Sequence, residues 1–145
     1  MKTIHHVLDI EAAPSVVWHS LSTSAGLSGW WSTKVAGGDS KVGESIRFAF
    51  GGDFNPVMEV TAREEGTALA WRCVDGHKNW HDNTFTFELV PFDGGRCRLR
   101  FSQHYAVELT DDDYGIYNFN WGYYLESLRL LCTAGQGKPY QPTES

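Results

Sequence analysis

The chain has 145 residues, enough for one domain that buries a core without disulfides or metal, and too few for two ordinary domains. Its net charge of −6, from 18 acids against 12 bases, excludes the basic stripe that tracks nucleic-acid phosphates. Aromatic residues make up 14% of it, as six Trp, six Tyr and eight Phe, and rings in that supply fill cores or line ligand cavities.

Residues 3–11 read as a strand, with Ile4, His6, Leu8 and Ile10 on one face and His5, Asp9 and Glu11 on the other. Pro14 suits a first helical position, and Val17, Trp18 and Leu21 follow at helical spacing. Ser22, Thr23 and Ser24 can end that helix and cap a second short one over 25–30. Of the adjacent Trp30 and Trp31, at most one is expected to face inward, because neighbours on a regular element point in different directions. Strands follow with period two. The first carries Ile46, Phe48 and Phe50, and residues 57–64 carry Met58, Val60 and Ala62 against Glu59, Thr61 and Arg63. Further strands carry Leu69, Trp71 and Cys73, then Phe85, Phe87 and Leu89, then Cys97, Leu99, Phe101 and Gln103. Turn chemistry separates them at Gly37-Gly38-Asp39, Gly51-Gly52-Asp53, Glu65-Gly66-Thr67 and Phe92-Asp93-Gly94-Gly95, while residues 75–82 form a polar loop. Hairpin-length connections predict an antiparallel sheet. Arg96, Arg98 and Arg100 alternate onto its solvated outer face.

The last element differs. Asp111, Asp112 and Asp113 suit a helix N-terminus, and Gly135, Gly137 and Pro139 stop what they start. Between about Tyr114 and Ala134, Asn118, Gly122, Glu126, Arg129 and Thr133 form one narrow polar stripe. Apolar residues occupy the rest, so this helix is expected to be covered over most of its circumference by a sheet bent around it. The order of elements gives an α+β fold spanning residues 1–145 as one domain: a curved antiparallel sheet of six to seven strands, two short helices after the first strand, and a long C-terminal helix.

This arrangement resembles the START-like (SRPBCC) superfamily with its helix-grip fold, and within it the C-terminal domain of the heat-shock protein 90 ATPase activator. The resemblance rests on Ala13-Pro14-Ser15-Val16-Val17-Trp18, Gly29-Trp30-Trp31 and Val42-Gly43, on the Phe85-to-Leu89 and Arg96-to-Phe101 hairpin, on Trp121-Gly122-Tyr123-Tyr124-Leu125-Glu126-Ser127-Leu128, and on Gly135-Gln136-Gly137-Lys138-Pro139-Tyr140. It implies the fold. It implies no shared reaction, since the superfamily includes lipid and hormone carriers, aromatase/cyclases and co-chaperone domains.

A helix-grip fold turns the face of His6 toward helix and cavity, together with Gln103 and the helix residues Tyr117, Asn120 and Tyr124. The expected ligand site is therefore an apolar pocket lined by Trp71, Phe85, Phe87, Leu99, Phe101, Tyr117, Asn120, Trp121 and Tyr124, with His6 and Gln103 as polar anchors. The competing expectation is that the rings fill this space. No metal and no cofactor is expected: His77 and His81 are four apart but lie in a loop, and nothing beyond Asp82 completes a ligand set. No nucleophile motif is present, so no catalytic residue is assigned. The leading function is binding of a small hydrophobic, aromatic or lipid-like molecule. The alternatives are an enzyme of the cyclase, dehydratase or hydrolase kind, and a chaperone-associated protein-interaction domain for which Trp80 and Tyr105 would be exposed. A homodimer is compatible with any of them. Three widely spaced cysteines, Cys73, Cys97 and Cys132, and an N-terminus lacking a long apolar run predict free thiols in a reducing cytoplasm; no stretch approaches a membrane span.

Overall fold

A computed structural model describes residues 2–39 and 41–142. Strand β1 (Thr3–Ile10) leads into helices α1 (Pro14–Ser22) and α2 (Ser24–Trp30). Strands β2 (Lys34–Ala36), β3 (Ser45–Ala49), β4 (Val57–Glu64), β5 (Ala68–Asp75), β6 (Thr84–Phe92) and β7 (Arg96–His104) follow, and helix α3 (Asp111–Ala134) completes the order. A short 3-10 turn at Asp93–Gly95 joins β6 to β7. The seven strands form one antiparallel sheet in the order β1-β7-β6-β5-β4-β3-β2, so β1 closes on the last strand while every other pairing is a hairpin between sequence neighbours. This is the helix-grip arrangement.

The alternation read from the sequence sets the two faces. Ile4, Ile10, Trp71, Cys73, Phe85, Phe87, Leu99 and Phe101 are buried on the inner face. The outer face carries charge. Arg98 donates twice to Asp9 across the β1–β7 pair, at 2.7 and 3.1 Å, and stacks with Arg96 against the Phe92 ring. One strand departs from simple alternation. A register shift between Val60 and Ala62 brings Arg63 opposite the inward Leu69 and places Ala62 outside. Arg63, expected to face solvent, therefore lies over the Trp18 ring.

Thr110 caps α3, its hydroxyl accepting the Asp113 N–H at 3.1 Å, and the three aspartates occupy the first turn, where they offset the positive end of the helix. Gly135 ends the helix in the left-handed conformation, φ 81°. The expectation that α3 is wrapped over most of its circumference is corrected. It buries one stripe, Tyr117, Trp121, Leu125, Ser127 and Leu128, and leaves Ile116, Phe119 and Tyr123 exposed at 55%, 75% and 49%. The sheet is broad enough to cover one side of a helix, and α1 and α2 meet its C-terminal part, where Ser127 bonds the Trp30 carbonyl and Cys132 meets Ser20.

Trp30 and Trp31 correct another expectation, because both are buried. They end α2 beneath α3. Trp30 turns toward α1, its indole N–H donating to the Ser20 carbonyl at 2.8 Å, while Trp31 turns toward the sheet and packs against Phe48 and Trp71. Among the described residues no helix is long and apolar enough to cross a membrane. All three thiols are free, and burial pushes those of Cys73 and Cys97 from the ordinary 9.0 up to about 11.

Candidate functional site

The middle of the inner face is packed solid. Trp71 meets Phe87 edge-on at 4.9 Å, Phe87 packs on Phe101 at 5.2 Å, and Phe101 on Trp121 at 4.3 Å. Cross-strand register produces this contact: Trp71 pairs with Phe85, Leu69 with Phe87, and Phe87 with Phe101. Apart from the buried Trp71 indole N–H, which has no hydrogen-bond partner, the polar groups there bond to each other. The Trp121 indole N–H donates to Gln103 Oε1 at 2.7 Å, Gln103 Nε2 donates to Asn83 Oδ1 at 2.8 Å, and all three residues are buried. This relay ties α3 through β7 to the loop after β5.

An open space lies to one side, between the first half of α3, the β3–β4 turn, the loop 76–83 and the C-terminal segment. Its volume is about 330 Å³ and its lining is Trp31, Phe50, Gly51, Phe54, Trp80, Ile116, Tyr117, Asn120, Trp121, Tyr124 and Tyr140. Eight of these are aromatic and none is charged. Trp31, Trp80 and Trp121 lie nearly parallel, with ring centres 5.2–6.2 Å apart and interplanar angles of 10–27°. Phe54 stands edge-on to both Trp80 and Tyr117, and Tyr140 leans on Phe50 at 5.7 Å.

Each wall is fixed locally. Asn55 Oδ1 accepts the N–H groups of Phe50 and Gly51, at 3.1 and 3.0 Å, and its Nδ2 donates to the Gly52 carbonyl, which holds the β3–β4 turn in shape. In the loop, His77 lies flat on Phe54 at 4.4 Å. Its Nδ1 accepts the Asn79 N–H at 3.0 Å, which leaves the proton on Nε2, facing Asp53 at 3.5 Å. Asn79 Nδ2 reaches the Tyr117 hydroxyl at 3.0 Å and the Asp113 carboxylate at 3.4 Å. Burial holds the Tyr117 phenol above its usual pKa, and the charges of Asp113 and Asp53 push it the same way. Burial likewise raises Tyr124.

The C-terminal segment is pinned at a close crossing. A β-carbon on Gly137 would sit 2.5 Å from the Gly29 carbonyl oxygen and 2.7 Å from that of Ser127, so only glycine passes there. Ser127 Oγ donates to the Trp30 carbonyl at 2.9 Å and accepts the Lys138 N–H at 2.6 Å. Tyr140 then pairs in parallel with Ser32, and its ring joins the cavity wall.

Four of the residues expected at a ligand site, Tyr117, Asn120, Trp121 and Tyr124, line this space. Trp71, Phe85, Phe87, Leu99 and Phe101 instead form the packed middle beside it. Gln103 has both ends of its amide bonded inside the protein. His6 sits on the inner face but at the β1 edge, where its Nε2 donates to Asn118 Oδ1 at 3.0 Å, outside the cavity. Trp80 and Tyr105, which would have to be exposed to serve a protein-interaction surface, are buried. Tyr105 stacks on Tyr117 behind the wall, and its hydroxyl and the Trp80 indole N–H lack well-formed hydrogen bonds. Five aromatic wall residues were absent from the expected set: Trp31, Phe50, Phe54, Trp80 and Tyr140. Phe50 ends the inward series Ile46, Phe48, Phe50, and following that alternation to its end finds it. The others lie at a helix end, in turns or in the tail, where no periodicity marks a face. Among the described residues no three His, Cys, Asp or Glu cluster closely enough to hold a metal ion.

The comparisons with known proteins agree with this architecture. Residues 11–132 match the model of the family described as Activator of Hsp90 ATPase homolog 1-like protein. The chain belongs to that family. Among solved structures it is similar to the Aha1 dimer of Colwellia psychrerythraea, determined in solution, with 28% identity and a TM-score of 0.84 over 94% of this chain and 100% of that one. A protein from Mesorhizobium loti shares the fold at 23% identity and a TM-score of 0.75, covering 90% of this chain and 96% of that one. So does DynU16, of a dynemicin biosynthetic locus, at 14% identity and a TM-score of 0.78, over 94% of this chain and 49% of that one. No curated protein matches the sequence.

Proposed function

We propose that this family member holds a small hydrophobic or aromatic molecule in the cavity beside α3. The observation that carries the reading is an uncharged space of about 330 Å³ walled by eight aromatic rings, with a few polar atoms at its edges. Its lining offers no imidazole, carboxylate or thiol among the described residues, so the cavity favours binding over acid–base chemistry. Titrating the intrinsic Trp emission and the melting temperature against a panel of aromatic and acyl compounds tests it. Trp31, Trp80 and Trp121 should report occupancy, and a ligand at a hundred times its Kd should stabilise the fold by about 2.7 kcal/mol. A panel in which no compound moves either signal overturns the proposal.

A homodimer is the second reading, favoured by the exposed row Ile116, Phe119 and Tyr123 on α3 and by the dimeric state of the Colwellia psychrerythraea relative. Light scattering on the purified chain should give twice the monomer mass, and Phe119→Ser should return it to the monomer. A wild-type monomer at high concentration rules the dimer out. The three free thiols suit a reducing compartment, and we infer a cytoplasmic location.

A further inference from the structure

The cavity has a chemical bias that its apolar character alone does not convey. Its walls are ring faces and edges rather than aliphatic side chains: Ile116 is the one aliphatic residue among eleven lining positions. Ring faces carry negative electrostatic potential and attract cations, most strongly when water is excluded. No lining side chain among the described residues carries a positive charge that would oppose this.

Two carboxylates flank the same space. Asp53 lies in the β3–β4 turn between the lining residues Gly51 and Phe54. Asp113 is linked to the lining Tyr117 hydroxyl through the Asn79 amide, at 3.4 and 3.0 Å. Burial is the main reason the Tyr117 phenol resists ionisation, and the charges of Asp113 and Asp53 push the same way. The nearby His77 turns its Nε2 toward Asp53 at 3.5 Å. The positive end of α3 is offset by the aspartates of its first turn.

We propose that the ligand class preferred by this cavity is an organic cation of the quaternary or tertiary ammonium kind, its charge held against the ring faces of Tyr124, Tyr140 and the Trp cluster, with Asp53 and Asp113 supplying the longer-range attraction. The assignment rests on the binding reading above and sharpens it. A methylated ammonium presents a diffuse charge with an apolar surface, so it loses little hydration on entry and needs no direct carboxylate partner. A carboxylate or phosphate ligand would find no cationic donor in the lining.

The test compares choline with its uncharged carbon isostere, in which a tert-butyl group replaces the trimethylammonium. Heteronuclear NMR following the indole N–H signals of the intact chain gives both affinities. Choline should bind about tenfold more tightly than the isostere. Tyr140→Leu and Tyr124→Leu, which keep apolar volume but remove a ring, should each bring the two affinities toward parity. Asp53→Asn and Asp113→Asn should weaken choline and leave the isostere unchanged. Equal affinities, tighter binding of the isostere, or choline binding that ignores all four substitutions overturns the cation assignment. If neither probe binds while other members of the aromatic and acyl panel do, the cation assignment fails and the binding reading stands. If nothing binds at all, both fail together.

Discussion

Two neighbouring regions of this protein are built from the same residue types and come out differently. Over β5, β6 and β7 the rings of Trp71, Phe85, Phe87 and Phe101 interlock with Trp121 and leave no room. A short distance away, Phe50, Phe54, Tyr124 and Tyr140 stand around an open space with the Trp cluster at its base. The difference lies in how the rings are delivered. Strand residues arrive at fixed cross-strand separations and pack to interior density. Rings carried by a turn, a loop and a tail take their positions from separate backbone restraints, here Asn55, the 76–83 loop and the Gly137 crossing, and nothing obliges them to touch. Aromatic content alone therefore does not distinguish a core from a cavity.

The contrast can be broken most directly in the packed region. Phe87→Ala removes a ring from a site with no slack, and chemical denaturation should show a loss of about 3–5 kcal/mol. A change near zero would mean that the middle is as loose as the cavity. Gln103→Leu should come next, at about 2–4 kcal/mol, because it strands the Trp121 N–H and the Asn83 carbonyl in a buried setting. The same denaturation experiment reads it, and restored stability in a Gln103→Leu, Trp121→Phe double variant would tie the cost to the unpaired N–H. At the cavity, Tyr140→Leu should cost under about 1 kcal/mol, since its ring is partly exposed and faces open space. A loss as large as that of Phe87→Ala would show that the wall is core.

A separate effect is alkaline. Cys73 and Cys97 titrate near 11 in the folded protein against 9.0 in an exposed thiol, chiefly through burial. The folded state thus resists ionisation, and the stability contributed by the neutral thiols is present below pH 9.0 and lost as pH rises toward about 11. Denaturant midpoints should fall across that window, and Cys73→Ala should flatten the decline. A midpoint unchanged across the window would mean that the thiols are wetter than their packing implies.

Much of the fold was legible in the sequence, for a local reason. Alternation over β1, β3, β5, β6 and β7, glycine turns between them, and the acid-started, glycine-stopped helix each follow from a few adjacent residues. The inward positions of Trp71, Phe87 and Phe101 follow from that alternation alone. The strand β4 shows the limit: a bulge at Val60–Ala62 is invisible in the alternation and reverses Arg63. The site was legible only in its helical part, because Tyr117, Asn120, Trp121 and Tyr124 share a helix. Trp80 and Tyr140 carry no periodic signal.

The sequence by itself determined the set of elements, their order and the inner face of most strands, since these depend on backbone geometry and on burying apolar side chains at period two or near 3.6. Only the tertiary structure decided that α3 is covered on one side, that Gln103 is spent on Trp121 and Asn83, and where space remains between the rings. Those outcomes depend on distances between segments far apart in the chain, which packing sets and no local pattern encodes.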